Sequence, residues 1–367
     1  MKRILSFLSL LLCLTLLSGC SNQVVMSDRL LIRGIGIDSI GEHRYRASVH
    51  VMKTTEQEDA AELLQAEGES VLDALNNLTL QIGKTPLYSH NLIVIFGRSC
   101  AEQGLDFVLD FFQRHRESRP NVDVFLAENT AAEIMETKHN DRYILSQDID
   151  DLADAAKLNG KVADIQVYQI VNMNYRRGSP YMPVLLTDGE KLQIGGTAIF
   201  DGWRLKGFLT EDETRGLLFL TENLSGGDMT VDVGDLRLTV SLAQAKRSVE
   251  TEISGGLPVF RISVSCEAHI TSIDQAVIED LDAKYYKLFN EELEQAIYKQ
   301  INGVIRKAIF ENGCDIFSFG RRLYQTQPEW WHQNGDNWKQ LMLQSTYEVD
   351  VSVDVTRVEQ EITPSLF

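Results

Sequence analysis

The chain has 367 residues, of which 44% are hydrophobic and 24% charged, the balance of a globular protein able to bury a sizeable core. Its 53 acidic against 35 basic side chains give a formal charge of −18, which argues against nucleic acid and anionic lipid as bulk partners. Beyond the N-terminal segment no apolar run approaches the ~20 residues needed to span a bilayer.

The chain opens with MKRILSFLSLLLCLTLLSGC. Lys2 and Arg3 form a basic start, residues 4–17 an apolar run too short to span, and Leu17-Ser18-Gly19-Cys20 follows. This is the pattern of a secretory signal. Its end resembles the bacterial lipobox, with cleavage between Gly19 and Cys20 and a diacylglycerol on the Cys20 thiol. Residues 1–19 are thus expected to be a signal peptide; their loss, with Lys2 and Arg3, takes the charge from −18 to −20. Residues 20–28 read as a short tether to the first strand.

Residues 29–140 read as an N-terminal α/β domain. Two β-rich runs, 30–38 and 45–51, flank a Gly-bearing connection and predict a hairpin. Residues 56–68 are acidic and read as an exposed loop or insertion. Val71, Leu72, Leu75, Leu78 and Ile82 keep helical spacing up to Gly83. The continuous apolar run 92–96 suits a strand covered on both faces. A helix marked by Leu105, Val108, Leu109 and Phe112 follows, then a strand at 122–126 and a helix that Thr130 caps, with Glu133 three residues on.

Residues 141–225 form an expected middle domain. It has an acidic patch at 148–151, a short helix at 167–173, strands at 184–186, 192–200 and 203–209, and a helix starting at Thr210. Ser225-Gly226-Gly227 marks the clearest boundary. Over 226–360 the pattern becomes long period-two runs through Leu236, Phe260 and Tyr347, which predict an antiparallel sheet with one buried face. Leu293, Ile297, Ile301, Val304, Ile305, Ala308 and Ile309 form a single helical stripe suited to cover it. The expected fold class is therefore α+β, mixed α/β in three domains, with a C-terminal antiparallel sheet covered by a long helix.

The sequence offers no catalytic constellation. It has no GxSxG, SxxK, HExxH or P-loop pattern, and Gly34-Ile-Gly36 is only a fragment of a dinucleotide fingerprint. His90 beside the 92–96 run reads as a core or turn residue. Cys100, Cys266 and Cys314 are widely spaced and odd in number, which favours buried small hydrophobes over a metal site, with one disulfide left open. The aromatic stretch with Phe317, Phe319, Trp330, Trp331 and Trp338 suits core and edge packing or an interaction surface. No catalytic, metal-binding or cofactor-binding residue is expected.

Several stretches together resemble the Ger(x)C family, the lipoprotein C subunit of spore germinant receptors. They are GIGID at 34–38, SHNLIVIFG at 89–97, GGTAIFDGWRLKGFLTEDETRGLLFL at 195–220, CDIFSFGRRLYQTQPEWWHQNGDNW at 314–338 and VDVSVDVTR at 349–357. Ser21-Asn22 departs from the Trp-Asp that commonly follows the lipidated Cys in the family. The resemblance implies three mixed α/β domains and a non-enzymatic subunit. That subunit is lipid-anchored on the outer face of the spore inner membrane and assembles with the receptor's A and B membrane subunits. A substrate-binding lipoprotein that captures a small solute directly is the alternative.

Overall fold

The computed structural model describes residues 29–53, 60–140, 142–221, 223–234, 236–274 and 283–357. The expected signal peptide, its cleavage site at Gly19 and Cys20, and the 20–28 tether lie outside them.

The N-terminal body is one mixed sheet. Its strands are β1 (Arg29–Gly41), β2 (Arg44–Lys53), β3 (Ala60–Gly68), β4 (Thr85–Leu87), β5 (Ile93–Phe96) and β6 (Asp123–Ala127). After a two-residue ribbon, β7 (Lys138–His139) with β8 (Arg142–Tyr143), come β9 (Tyr181–Thr187), β10 (Leu192–Asp201) and β11 (Arg204–Leu209). The order across the sheet is β11-β10-β9-β6-β5-β1-β2-β3, with β4 paired to β1. The central strands β1, β5, β6 and β9 run parallel.

The apolar run of β5 is explained by this position. Ile93 and Ile95 pack on one face with Met135 and Ile149, while Val94 and Phe96 pack on the other with Leu109 and Phe112. A strand covered on both faces has no polar side to show. Helices Ala131–Glu136 and Ser146–Lys157 cover the first face, and helices Val71–Asn77 and Asp106–Arg114 the second.

Two readings of this region are revised. The acidic stretch read as a loop ends in β3, which pairs along its length with β2. Its Glu67 meets Arg44 and Arg46 across the pair; a charged strand of this kind suits a sheet edge. The boundary expected at 140/141 falls within the one sheet, because β9, β10 and β11 extend it next to β6.

The second sheet holds β12 (Asp228–Val233), β13 (Leu236–Ser254), β14 (Leu257–Asp274) and β15 (Thr346–Arg357). The first three are antiparallel. The last pairs parallel to β14 over its full length, from Val259 opposite Thr346 to Ile270 opposite Arg357. A parallel neighbour requires a crossover, and the long helix Ala283–Ile305 begins it. Its stripe is buried throughout: Phe289, Leu293, Ile297, Ile301 and Val304 are each 0% exposed. A π-helical turn, Arg306–Glu311, carries the stripe on through Ala308 and Ile309. The same helix meets the open side of β15. Glu294 accepts the Val353 backbone N–H at 3.0 Å and Asn290 that of Val355 at 3.1 Å.

The two sheets share one hydrophobic core. Helix Glu211–Thr221, which follows β11, packs on the long helix. A Cβ at Gly216 would lie 2.5 Å from the Gln300 carbonyl oxygen and 3.0 Å from Val304 Cγ1. In a free helix Gly→Ala is favourable by ~1 kcal/mol. Here Gly216→Ala is expected to destabilise by ~1–3 kcal/mol, because backbone stands where the methyl would go. Urea unfolding of the two proteins checks the sign, and a stabilised variant would refute the close approach.

Candidate functional site

The stretches singled out in the sequence converge on buried polar groups that join elements. Asp38 ends the GIGID stretch in β1 and is 3% exposed. Its two carboxylate oxygens accept the backbone N–H groups of Ala131 and Ala132, at 2.8 and 2.9 Å. Gly97, which closes SHNLIVIFG, leaves the room: a Cβ there would lie 1.8 Å from Asp38 Oδ1. Gly36 lies against Ala131 and Met135 in the same way. Gly36 and Gly97 therefore seat helix Ala131–Glu136 on the sheet. Thr130 caps that helix as expected, accepting the Glu133 N–H at 3.1 Å.

Asp315 plays the matching part in the C-terminal body. It is 4% exposed and accepts from Phe319 N at 2.9 Å, Gly320 N at 2.7 Å and Trp338 Nε1 at 3.1 Å. Its own carbonyl takes the Ser179 N–H at 2.9 Å, just ahead of β9. Gly320 admits the indole, since a Cβ there would lie 2.5 Å from Trp338 Nε1. Burial pushes both carboxyls above the ordinary carboxylate range while their N–H donors pull them down. Buried carboxyls with raised pKa often mark catalysis, but these two are committed to holding helix starts.

Between the bodies, Arg215 of the ETRG stretch is 3% exposed. Its Nε donates to Gly160 O at 3.2 Å and its Nη2 to Asn159 O at 3.3 Å. That loop presses on the boundary glycines: a Cβ on Gly160 would lie 2.3 Å from Gly226 O, and one on Gly227 2.3 Å from Asn159 O. Beside Arg215, Thr214 shares a buried hydroxyl contact of 3.0 Å with Thr197 of β10. The capping box at Thr210 is reciprocal, with Thr210 N donating to Glu213 and Glu213 N to Thr210 Oγ1.

One pairing escaped the sequence reading. His50 and Ser146, 96 positions apart, lie 3.0 Å apart through Nδ1 and Oγ, and His50 Nε2 lies 2.8 Å from Met135 O. Met135 O can only accept, so Nε2 carries the proton and Nδ1 accepts from the serine hydroxyl. A hollow of about 150 Å³ has both residues in its wall, but each is only 1% exposed, which leaves the hydroxyl too little surface for a substrate to reach. Ser146 Oγ also rests on Gly34, where a Cβ would lie 2.1 Å away. The pair therefore locks helix Ser146–Lys157 to β1 and β2.

His90 lies exposed in a 3₁₀ turn, Tyr88–His90. Cys100, Cys266 and Cys314 are free, buried thiols. Burial raises all three pKa values, those of Cys266 and Cys314 to about 11, which leaves them protonated and unreactive at neutral pH. Among the described residues no group of His, Cys, Asp and Glu could hold a metal ion. Trp338 is core, and Trp330 reaches the turn between β13 and β14, donating Nε1–H to Gly256 O at 3.0 Å.

Two family models match in succession. One, described as spore germination protein N-terminal domain, matches residues 22–187. The other, described as spore germination B3/GerAC like, C-terminal, matches residues 195–359. Spore germination protein KC of Bacillus subtilis (strain 168) is 24% identical over 364 residues, covering 90% of this chain and 89% of that protein. Spore germination protein B3 of the same organism is 23% identical over 375 residues, covering 97% and 98%. The crystal structure of the GerBC protein superposes with a TM-score of 0.61 at 19% identity, over 88% of this chain and 97% of that one. That likeness shows the mixed α/β fold, with its C-terminal sheet and long helix.

Asp315→Asn keeps the shape but turns an amide N–H toward donors, and is expected to cost ~1–3 kcal/mol of unfolding free energy. An unchanged denaturation midpoint would remove Asp315 from its joining role. Burial also holds His50 below its ordinary 6.5, against the pull of Met135. The unfolded chain then takes up the proton more readily, so this contribution to stability is full above pH 6.5 and lost as pH falls below it. Denaturation midpoints between pH 7.5 and 5 should fall more steeply in the wild type than in His50→Gln; parallel profiles would show that His50 is not held neutral.

Proposed function

The chain belongs to the spore germination GerAC-like family, and from that membership we propose that it is the lipid-anchored C subunit of a nutrient germinant receptor. Diacylglycerol on Cys20 holds it on the outer face of the spore inner membrane, where it works through contacts with the receptor's A and B membrane subunits. The observation that carries this reading is the succession of both family models along 22–187 and 195–359. Among the described residues no helix is long and apolar enough to cross a membrane, which fits attachment through the lipobox Cys20. The buried carboxyls, histidine and thiols are all committed to packing and hydrogen bonds, which supports a role by contact rather than by catalysis.

Two acyl chains anchor firmly where one anchors marginally. Confinement to the membrane plane raises the effective concentration of the scaffold for membrane partners without any new contact. Cys20→Ala is therefore expected to move the protein into the soluble fraction of spore lysates and to slow nutrient-triggered germination at least severalfold. Germination by a trigger that bypasses receptors should stay intact. A variant that stays membrane-bound and fully responsive would defeat the anchoring.

A further inference from the structure

Two adjoining hollows, each of about 450 Å³, open along the seam between the two bodies. They share Arg247, Phe317, Ser318 and Arg321; the first adds Arg322 and the second Arg176. Four arginines thus line one trough, and among the described residues neither hollow has an Asp or Glu in its lining. In a chain of charge −18 this local excess is the reverse of the average surface.

The arginines are held differently. Arg322 donates Nε and Nη2 to Val249 O at 3.1 and 2.8 Å, which fixes its plane. Arg247 gives one N–H to the Leu220 carbonyl. Arg176 and Arg321 are exposed and have no side-chain partner among the described residues. Ser318, shared by both hollows, stands at φ 61°, a left-handed conformation uncommon for serine. Asp315 lies beneath, its oxygens already given to Phe319, Gly320 and Trp338.

From this arrangement we propose that the trough binds a phosphate group, either free or carried on a phospholipid headgroup. Guanidinium forks match phosphate oxygens in pairs. Inorganic phosphate, with about two charges at neutral pH, matches the two exposed guanidiniums of Arg176 and Arg321, and a headgroup phosphodiester, with one charge, still presents two oxygens to their forks. The trough's place makes the lipid source reachable. Tyr168, in its lining, donates its backbone N–H to Pro120 O. Arg29, where the described chain begins, pairs with Glu117 three residues earlier in the same loop. The trough, with Tyr181 at the start of β9 in its lining, therefore lies toward the end of the parallel strands where Arg29 begins β1, nine positions after Cys20 in the sequence. Only this lipid source rests on the anchoring proposed above; binding of free phosphate does not.

The test uses the full chain carrying Cys20→Ala, so that no acyl chain mediates adhesion. Inorganic phosphate is titrated by calorimetry, and vesicles of phosphatidylglycerol are compared with vesicles of phosphatidylcholine by cosedimentation. Arg176→Gln/Arg321→Gln is expected to weaken phosphate binding, phosphatidylglycerol preference or both by at least tenfold. The charge-matched control Lys191→Gln/Lys299→Gln should leave them unchanged. Both arginines are exposed and have no side-chain partner among the described residues, so thermal unfolding should match the parent; Arg321→Glu alone gives an independent loss. Phosphate binding without vesicle preference assigns a soluble source, and vesicle preference alone assigns the headgroup; both uphold the site. Absence of both in the parent, or equal loss in the control, overturns it.

Discussion

Two helices in backbone contact hold the molecule together. Where helix Glu211–Thr221 crosses the long helix, Gly216 lets the Gln300 carbonyl come as close as a side chain would otherwise stand. One residue before it, Arg215 is buried with two loop carbonyls as its acceptors. A buried guanidinium is tolerable only when its N–H groups are received. The contact therefore fixes the Asn159–Gly160 loop and, through it, the Gly226-Gly227 connection between the sheets. The shared core of the two bodies follows from this seam. The ETRG stretch is thus architectural, although a charged residue flanked by glycine could pass for a binding motif.

Much of the fold was legible because its signals are local. The 3.6-residue stripe from Leu293 to Ile309 gave the long helix, the continuous run at 92–96 a doubly covered strand, and Thr210 with Glu213 a reciprocated cap. What escaped depends on partners far along the chain. Alternation in β15 tells which face is buried but not that its neighbour β14 runs parallel. The strand in 60–68 was hidden because an edge strand carries charge: Glu67 faces water and two arginines of β2. That β9 to β11 continue the first sheet is a matter of neighbour choice, which no periodicity records.

The polar sites divide in the same way. Asp38 and Asp315 stood inside recognisable stretches, yet their roles need donors at 131, 132, 319, 320 and 338 that only the fold brings near. His50 gave no signal, because Ser146 lies 96 positions away. The arginine trough draws on positions 176, 247, 321 and 322, each unremarkable in an acidic sequence. Net charge described the average surface correctly and hid its one-sided exception.

The side chains that close β15 have a consequence for how the protein behaves when crowded. A bare last strand is a template on which a second copy can extend the sheet, the first step toward fibrous self-association. Here Glu294 and Asn290 occupy the Val353 and Val355 N–H groups that such a strand would need. An incoming strand must first break both bonds and lift the helix that also seals the core. Self-polymerisation at this border is thus coupled to loss of the fold itself, and a high local density of copies does not by itself nucleate it.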